Sequence, residues 1–89
     1  MANVSAAALA VIKRMQQNEL TESVIYEKIA AFAKGAENKE TLLRLAREEK
    51  AHYEIWKKYS GVELKPEIGK VLKYTLIARI LGFTFAVKL

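Results

Sequence analysis

The chain has 89 residues, 52% of them hydrophobic and 28% charged, with a formal net charge of +5 and no cysteine. That length allows one domain with a modest core, and the balance of apolar to charged residues excludes a disordered chain. The missing cysteines exclude a disulfide framework, a thiolate zinc site and a rubredoxin-type iron centre, and they fit a cytoplasmic protein.

Aspartate is absent, glycine and proline are few, and alanine, leucine, glutamate, lysine and arginine are abundant. This is a helix-forming composition, and the predicted class is all-α. A positive balance can signal nucleic acid or a membrane surface, but the Lys and Arg residues of the second helix are interspersed with Glu and no nucleic-acid motif is present. A solvated helical surface explains them, so no nucleic-acid partner is expected. The early AAALAV run has no basic residue before it and does not read as a secretory leader.

In chain order, Asn3 and Ser5 are the candidate N-caps of a first helix that runs without Pro or Gly to Lys34, where Gly35 stops it. The link Gly35-Ala36-Glu37-Asn38 is short, which predicts an antiparallel return with Asn38 as N-cap and Glu40 in the first turn. The second helix ends at Ser60-Gly61. Pro66 opens a third segment with Glu67 in its first turn. From Val71 to Val87 that segment is apolar nearly all round, with Gly82 permitting close packing or a bend. Lys73 and Arg79 lie inside this run of 17 residues, which is at the short limit for a membrane span. Two helices offer too little surface to cover it, so it is expected to pack on another chain or on further sequence.

Both early helices carry an apolar line broken by ligand-type residues. On the first, the steps of three and four are Ala8, Ile12, Met15, Glu19, Glu22, Tyr26, Ile29 and Ala33; on the second they are Leu42, Leu45, Glu49, His52, Trp56 and Tyr59. A carboxylate in an inward line loses water, and an unpaired buried charge costs several kcal/mol or takes up a proton. A lone Glu-x-x-His is a weak signal, because the His is often a satisfied core residue and the Glu pairs with Lys or Arg. Here both lines are interrupted near one level. Counted from the link, Glu19 is offset from Glu49 and His52 by roughly 3 to 8 Å along the axis, much of which side chains span, with helix stagger supplying the rest. The geometry permits one shared site, and a metal ion is the leading candidate to compensate it. Glu22 is level with His52 and competes as a ligand. Glu48 falls off the line and reads as surface.

The stretches NELTESVIYEKIA and LAREEKAHYEIWKKYSG, followed by PEIGKVLKYTLIARILGFTFAVKL, resemble the first half of the rubrerythrin-type ferritin-like domains. The likeness is nearest to those found alone or fused to transporters related to the vacuolar iron transporter. It covers nearly everything after residue 15 and is carried by Glu19, Tyr26 and Glu49-x-x-His52. The resemblance implies a di-iron centre in a four-helix bundle, with Glu19 a terminal carboxylate ligand, Glu49 a bridging one, His52 a terminal nitrogen ligand and Tyr26 a hydrogen-bond partner behind them. The family continues into a second half with further ligands, so residues 1–89 read as a single half-domain whose bundle is completed by oligomerisation.

The expected fold is therefore a helical hairpin plus a third helix, dimerised into a ferritin-like four-helix bundle. The expected function is ferroxidase-type oxidation of ferrous iron by dioxygen or peroxide, with two iron ions per dimer and manganese or zinc as alternatives. Whether the chain is an enzyme stays open at this stage. The rivals are a metal-free helical oligomerisation module, and a soluble iron-delivery domain acting with a membrane transporter.

Overall fold

Local sequence signals start and stop three helices, which the computed structural model describes over residues 5–82. They are α1 (Ala6–Phe32), α2 (Ala36–Ser60) and α3 (Ile68–Leu81), and no strand occurs among the described residues. Ser5 caps α1, its Oγ accepting the Ala8 N–H at 3.1 Å. The other candidate cap, Asn3, lies outside the described residues.

The link differs from its sequence reading. α1 already ends at Phe32, and α2 begins at Ala36 with Gly35 as N-cap at φ 88°, a backbone region that favours glycine. Asn38 is inside α2 rather than its cap, and its side-chain amide donates to the Lys34 carbonyl at 2.9 Å, bridging the link from within. At the far end Gly61 closes α2 in the left-handed conformation, its N–H donating to the Lys57 carbonyl at 2.8 Å, as expected of a glycine there. Glu67 stands at the N-cap of α3 rather than in its first turn. α3 ends at Leu81 with Gly82 as its cap, so the remainder of the long apolar run, including Phe83, lies outside the described residues.

Hydrogen bonds between side chains and distant backbone set the register. Gln16, fully buried, donates from Nε2 to the Val62 carbonyl at 2.8 Å and accepts from the Ser60 hydroxyl at 2.6 Å. Ser23 donates to the Ala46 carbonyl at 3.0 Å, and Lys39 to the Ala30 carbonyl at 3.2 Å. These rungs run in opposite sequence directions, so α1 and α2 are antiparallel. The connection to α3 is tied down next: Gln17 donates to the Lys65 carbonyl at 2.9 Å, and the Glu67 N–H donates to Thr21 Oγ1 at 3.0 Å. Because Arg79 then lies over the Phe32 ring at 5.1 Å, α3 runs parallel to α1.

Ile25, Ile29, Ala30, Leu42, Val71 and Ala78 form the core where the three helices meet. The buried residues of α2 are Leu42, Ala46 and Tyr53, and those of α1 include Gln16, Leu20 and Ser23. The two lines read from the sequence are therefore rotated toward one flank of the seam. Ile29 and Leu42 are their buried members, Glu19, Tyr26, Glu49 and Trp56 are half-buried, and Met15, Glu22, His52 and Tyr59 are exposed. The physical reason is that α1 and α2 meet through small and hydrogen-bonded residues, which an apolar stripe does not count. No described helix is long and apolar enough to cross a membrane.

Ile29 is 0% exposed, so Ile29→Ala leaves a cavity in the only cluster that joins all three helices among the described residues. It is expected to lower the unfolding free energy by about 2–5 kcal/mol. Leu43→Ala, on a side chain that is 41% exposed, is expected to cost far less in the same denaturant titration.

Candidate metal centre

Between the Gln16 and Ser23 rungs, α1 presents Glu19 to α2. Its Oε2 lies 2.9 Å from His52 Nδ1, and Glu49 Oε1 lies 3.2 Å from the same nitrogen. One donor atom from each of Glu19, Glu49 and His52 lies within 4.8 Å of the other two. Helical spacing places Glu49 and His52 on one flank, and the antiparallel register brings Glu19 to them across 33 residues of sequence. The carboxylates are sheltered, at 16% and 18% side-chain exposure, while His52 is 52% exposed. The site is thus a shallow one on an open flank.

The other members fall around this trio. Glu22 is exposed on α1, where it helps raise the Glu49 carboxyl, but it is not one of the three converging donors. Tyr26 is half-buried on the same flank, and among the described residues its hydroxyl makes no hydrogen bond to the cluster. Glu48 is exposed and pairs with Arg44 at 3.3 Å, which agrees with its reading as surface. Trp56, one turn beyond His52, is half-buried. Two contributors were not legible: the Glu22–Glu49 carboxyl pair, and the Gln16 and Ser23 bonds that fix the register.

Neither Glu19 nor Glu49 forms an ion pair with Lys or Arg among the described residues; their ion-pair contacts are with His52. The negative charge is managed by protons instead. Burial pushes the Glu49 carboxyl up from 4.5 to about 8, helped by its hydrogen bond to Glu22 and by the charges of Glu19 and Glu22, while His52 opposes the shift. His52 is raised above its ordinary range, first by its hydrogen bond to Glu19 and then by the charges of Glu19 and Glu49; its own desolvation works the other way. Tyr26 is raised as well, by burial and then by the charges of Glu22 and Glu49.

The donor spacing suits a cation as well as a proton. Ligands in adjacent positions of an octahedron with bonds of about 2.1 Å stand about 3.0 Å apart. The two His52 contacts, at 2.9 and 3.2 Å, already have that spacing. Two carboxylate oxygens and an imidazole nitrogen form a donor set suited to iron, manganese or zinc. Comparison with protein-family models, curated proteins and solved structures yields no match to the chain.

The proton bookkeeping gives a signed expectation for the metal-free protein. A carboxyl whose folded value rises from 4.5 to about 8 holds its proton while the unfolded chain loses it, so the stability it contributes is lost progressively as pH rises through that window. His52 acts in the same direction, contributing below the ordinary histidine range and losing that contribution as pH passes its raised folded value. The melting temperature is therefore expected to fall between pH 5 and pH 8. In Glu49→Gln, whose amide stays neutral, the fall is expected to be shallower, and calorimetry across a buffer series checks both.

Proposed function

We propose that two copies of this chain bind two ferrous ions at a shared centre and oxidise them with dioxygen or peroxide. The observation that carries this reading is the convergence of Glu19, Glu49 and His52 from two helices, with no Lys or Arg partner for either carboxylate among the described residues. One hairpin supplies two carboxylates and one imidazole, which is half of the ligand set of a di-iron four-helix bundle. The open flank supports the same reading, because a twofold partner docked there doubles the set and turns two hairpins into four helices. Four carboxylate charges then balance two divalent ions.

In this assignment Glu19 and Glu49 would supply carboxylate oxygens and His52 would supply nitrogen through Nδ1, the atom already turned toward both glutamates. The ligands are available only once deprotonated, so Glu49 and His52 each give up a proton when metal enters. Glu22, exposed and electrostatically coupled to Glu49, would offer that proton a way to solvent. Two ferrous ions supply two electrons, which with two protons convert dioxygen to hydrogen peroxide, or hydrogen peroxide to two waters. Tyr26 packs against the core beside the site, where the charges of Glu22 and Glu49 raise its hydroxyl.

Anaerobic titration with ferrous iron is expected to saturate near one ion per chain, roughly two per dimer by the symmetry of the half-sites. Light scattering of the same sample is expected to give the dimer mass. Glu49→Gln should reduce the stoichiometry strongly, since a neutral amide is a poor ligand, whereas Glu48→Gln should leave it unchanged. Equal effects of the two variants would overturn the assignment of ligands. A folded dimer that binds no divalent transition metal above background would leave the chain as a helical interaction module.

A further inference from the structure

On α3, Ile68, Leu72, Leu76 and Ile80 are 61%, 65%, 57% and 70% exposed. Their spacing of four places them in one row along the helix. α3 packs on α1 through the buried Val71 and Ala78, with Tyr74 beside them, so the row faces away from the hairpin. An exposed row of this size asks for a cover.

The charges around the row select among covers. From Ile68 to Gly82 the sequence contains Lys70, Lys73 and Arg79 and no acidic residue. Lys70 is paired with Glu67 at 3.4 Å, whereas Lys73 and Arg79 are in no ion pair among the described residues; Arg79 is held over the Phe32 ring at 5.1 Å. Pairing this row with the same row of another copy would gather the unpaired cations of both helices, with no carboxylate within either row to offset them. An anionic lipid surface offers hydrocarbon for the row and phosphate for the cations. We propose that α3 is an interfacial anchor, lying in the plane of an anionic bilayer with Ile68, Leu72, Leu76 and Ile80 in the acyl boundary and Lys73 and Arg79 reaching up to the headgroups. Over its described 14 residues, Ile68–Leu81, the helix has the length of an in-plane segment rather than of a bilayer span. The inference does not depend on metal binding.

Co-sedimentation of the full chain with vesicles tests it. Binding to vesicles of phosphatidylcholine with phosphatidylglycerol is expected to exceed binding to phosphatidylcholine alone by at least about tenfold, and to weaken as salt is raised. Leu72→Glu with Leu76→Glu should abolish it while leaving circular dichroism and solution mass unchanged. If that variant does not fold, the milder Lys73→Glu should still cut binding to the anionic vesicles. Failure of the folded wild-type chain to sediment with anionic vesicles overturns the proposal. A fall in solution mass in the Leu72→Glu, Leu76→Glu variant also overturns it, because the row would then be covered by another copy.

Discussion

The register of α1 against α2 is the constraint on which the rest depends. It is set by bonds from side chains to distant partners, not by the apolar core alone. Gln16 ties α1 to the end of α2, and Ser23 ties it to the Ala46 carbonyl midway. Glu19 lies between these rungs, and so do Glu49 and His52 on the opposite helix. A slip of one turn would carry Glu19 about 5.4 Å along the axis and out of reach of the imidazole. The slip is costly because Gln16 is fully buried, and an orphaned buried amide loses its partners without regaining water. The polar seam therefore does what a continuous leucine stripe would do poorly: it admits one alignment.

That seam also explains what the sequence made legible. Composition and the glycine at position 61 marked the helices and the end of α2, while the count from the link put Glu22 level with His52 and left Glu19 offset by roughly 3 to 8 Å. The phase was harder. Reading Leu45, His52 and Tyr59 as inward assumes that burial follows hydrophobicity, whereas α2 buries Ala46 and Tyr53. Ala46 is inward because a small residue allows close approach and exposes its carbonyl to Ser23; the Tyr53 hydroxyl accepts the Leu64 N–H at 3.2 Å and holds the next connection. Asn38 has the chemistry of a cap, yet its amide serves the link from inside the helix. For α3 no face was legible, since an all-round apolar helix has no period to read.

On the proposed reading, protons and a divalent ion compete for the cluster. His52 Nδ1 stands 2.9 Å from Glu19 and 3.2 Å from Glu49, the spacing of neighbouring ligands on such an ion. Under the proposed function, loading is an exchange of protons for a cation within a nearly fixed framework. The framework then pays little in rearrangement, and affinity is governed by pH more than by folding. The helices also divide the work: the α1–α2 hairpin brings Glu19, Glu49 and His52 together, while α3 packs on α1 and leaves its own outer face exposed.

Trp56 gives this arrangement an optical consequence. It is the single tryptophan of the chain and is half-buried one helical turn beyond His52. Indole emission is sensitive to nearby imidazolium charge and to redox-active ions, so the fluorophore reports directly on whatever occupies the neighbouring donors. No competing indole dilutes the signal. Under the proposed function, proton exchange and cation entry at the three donors would be followed in real time by one emission band, without label or substitution.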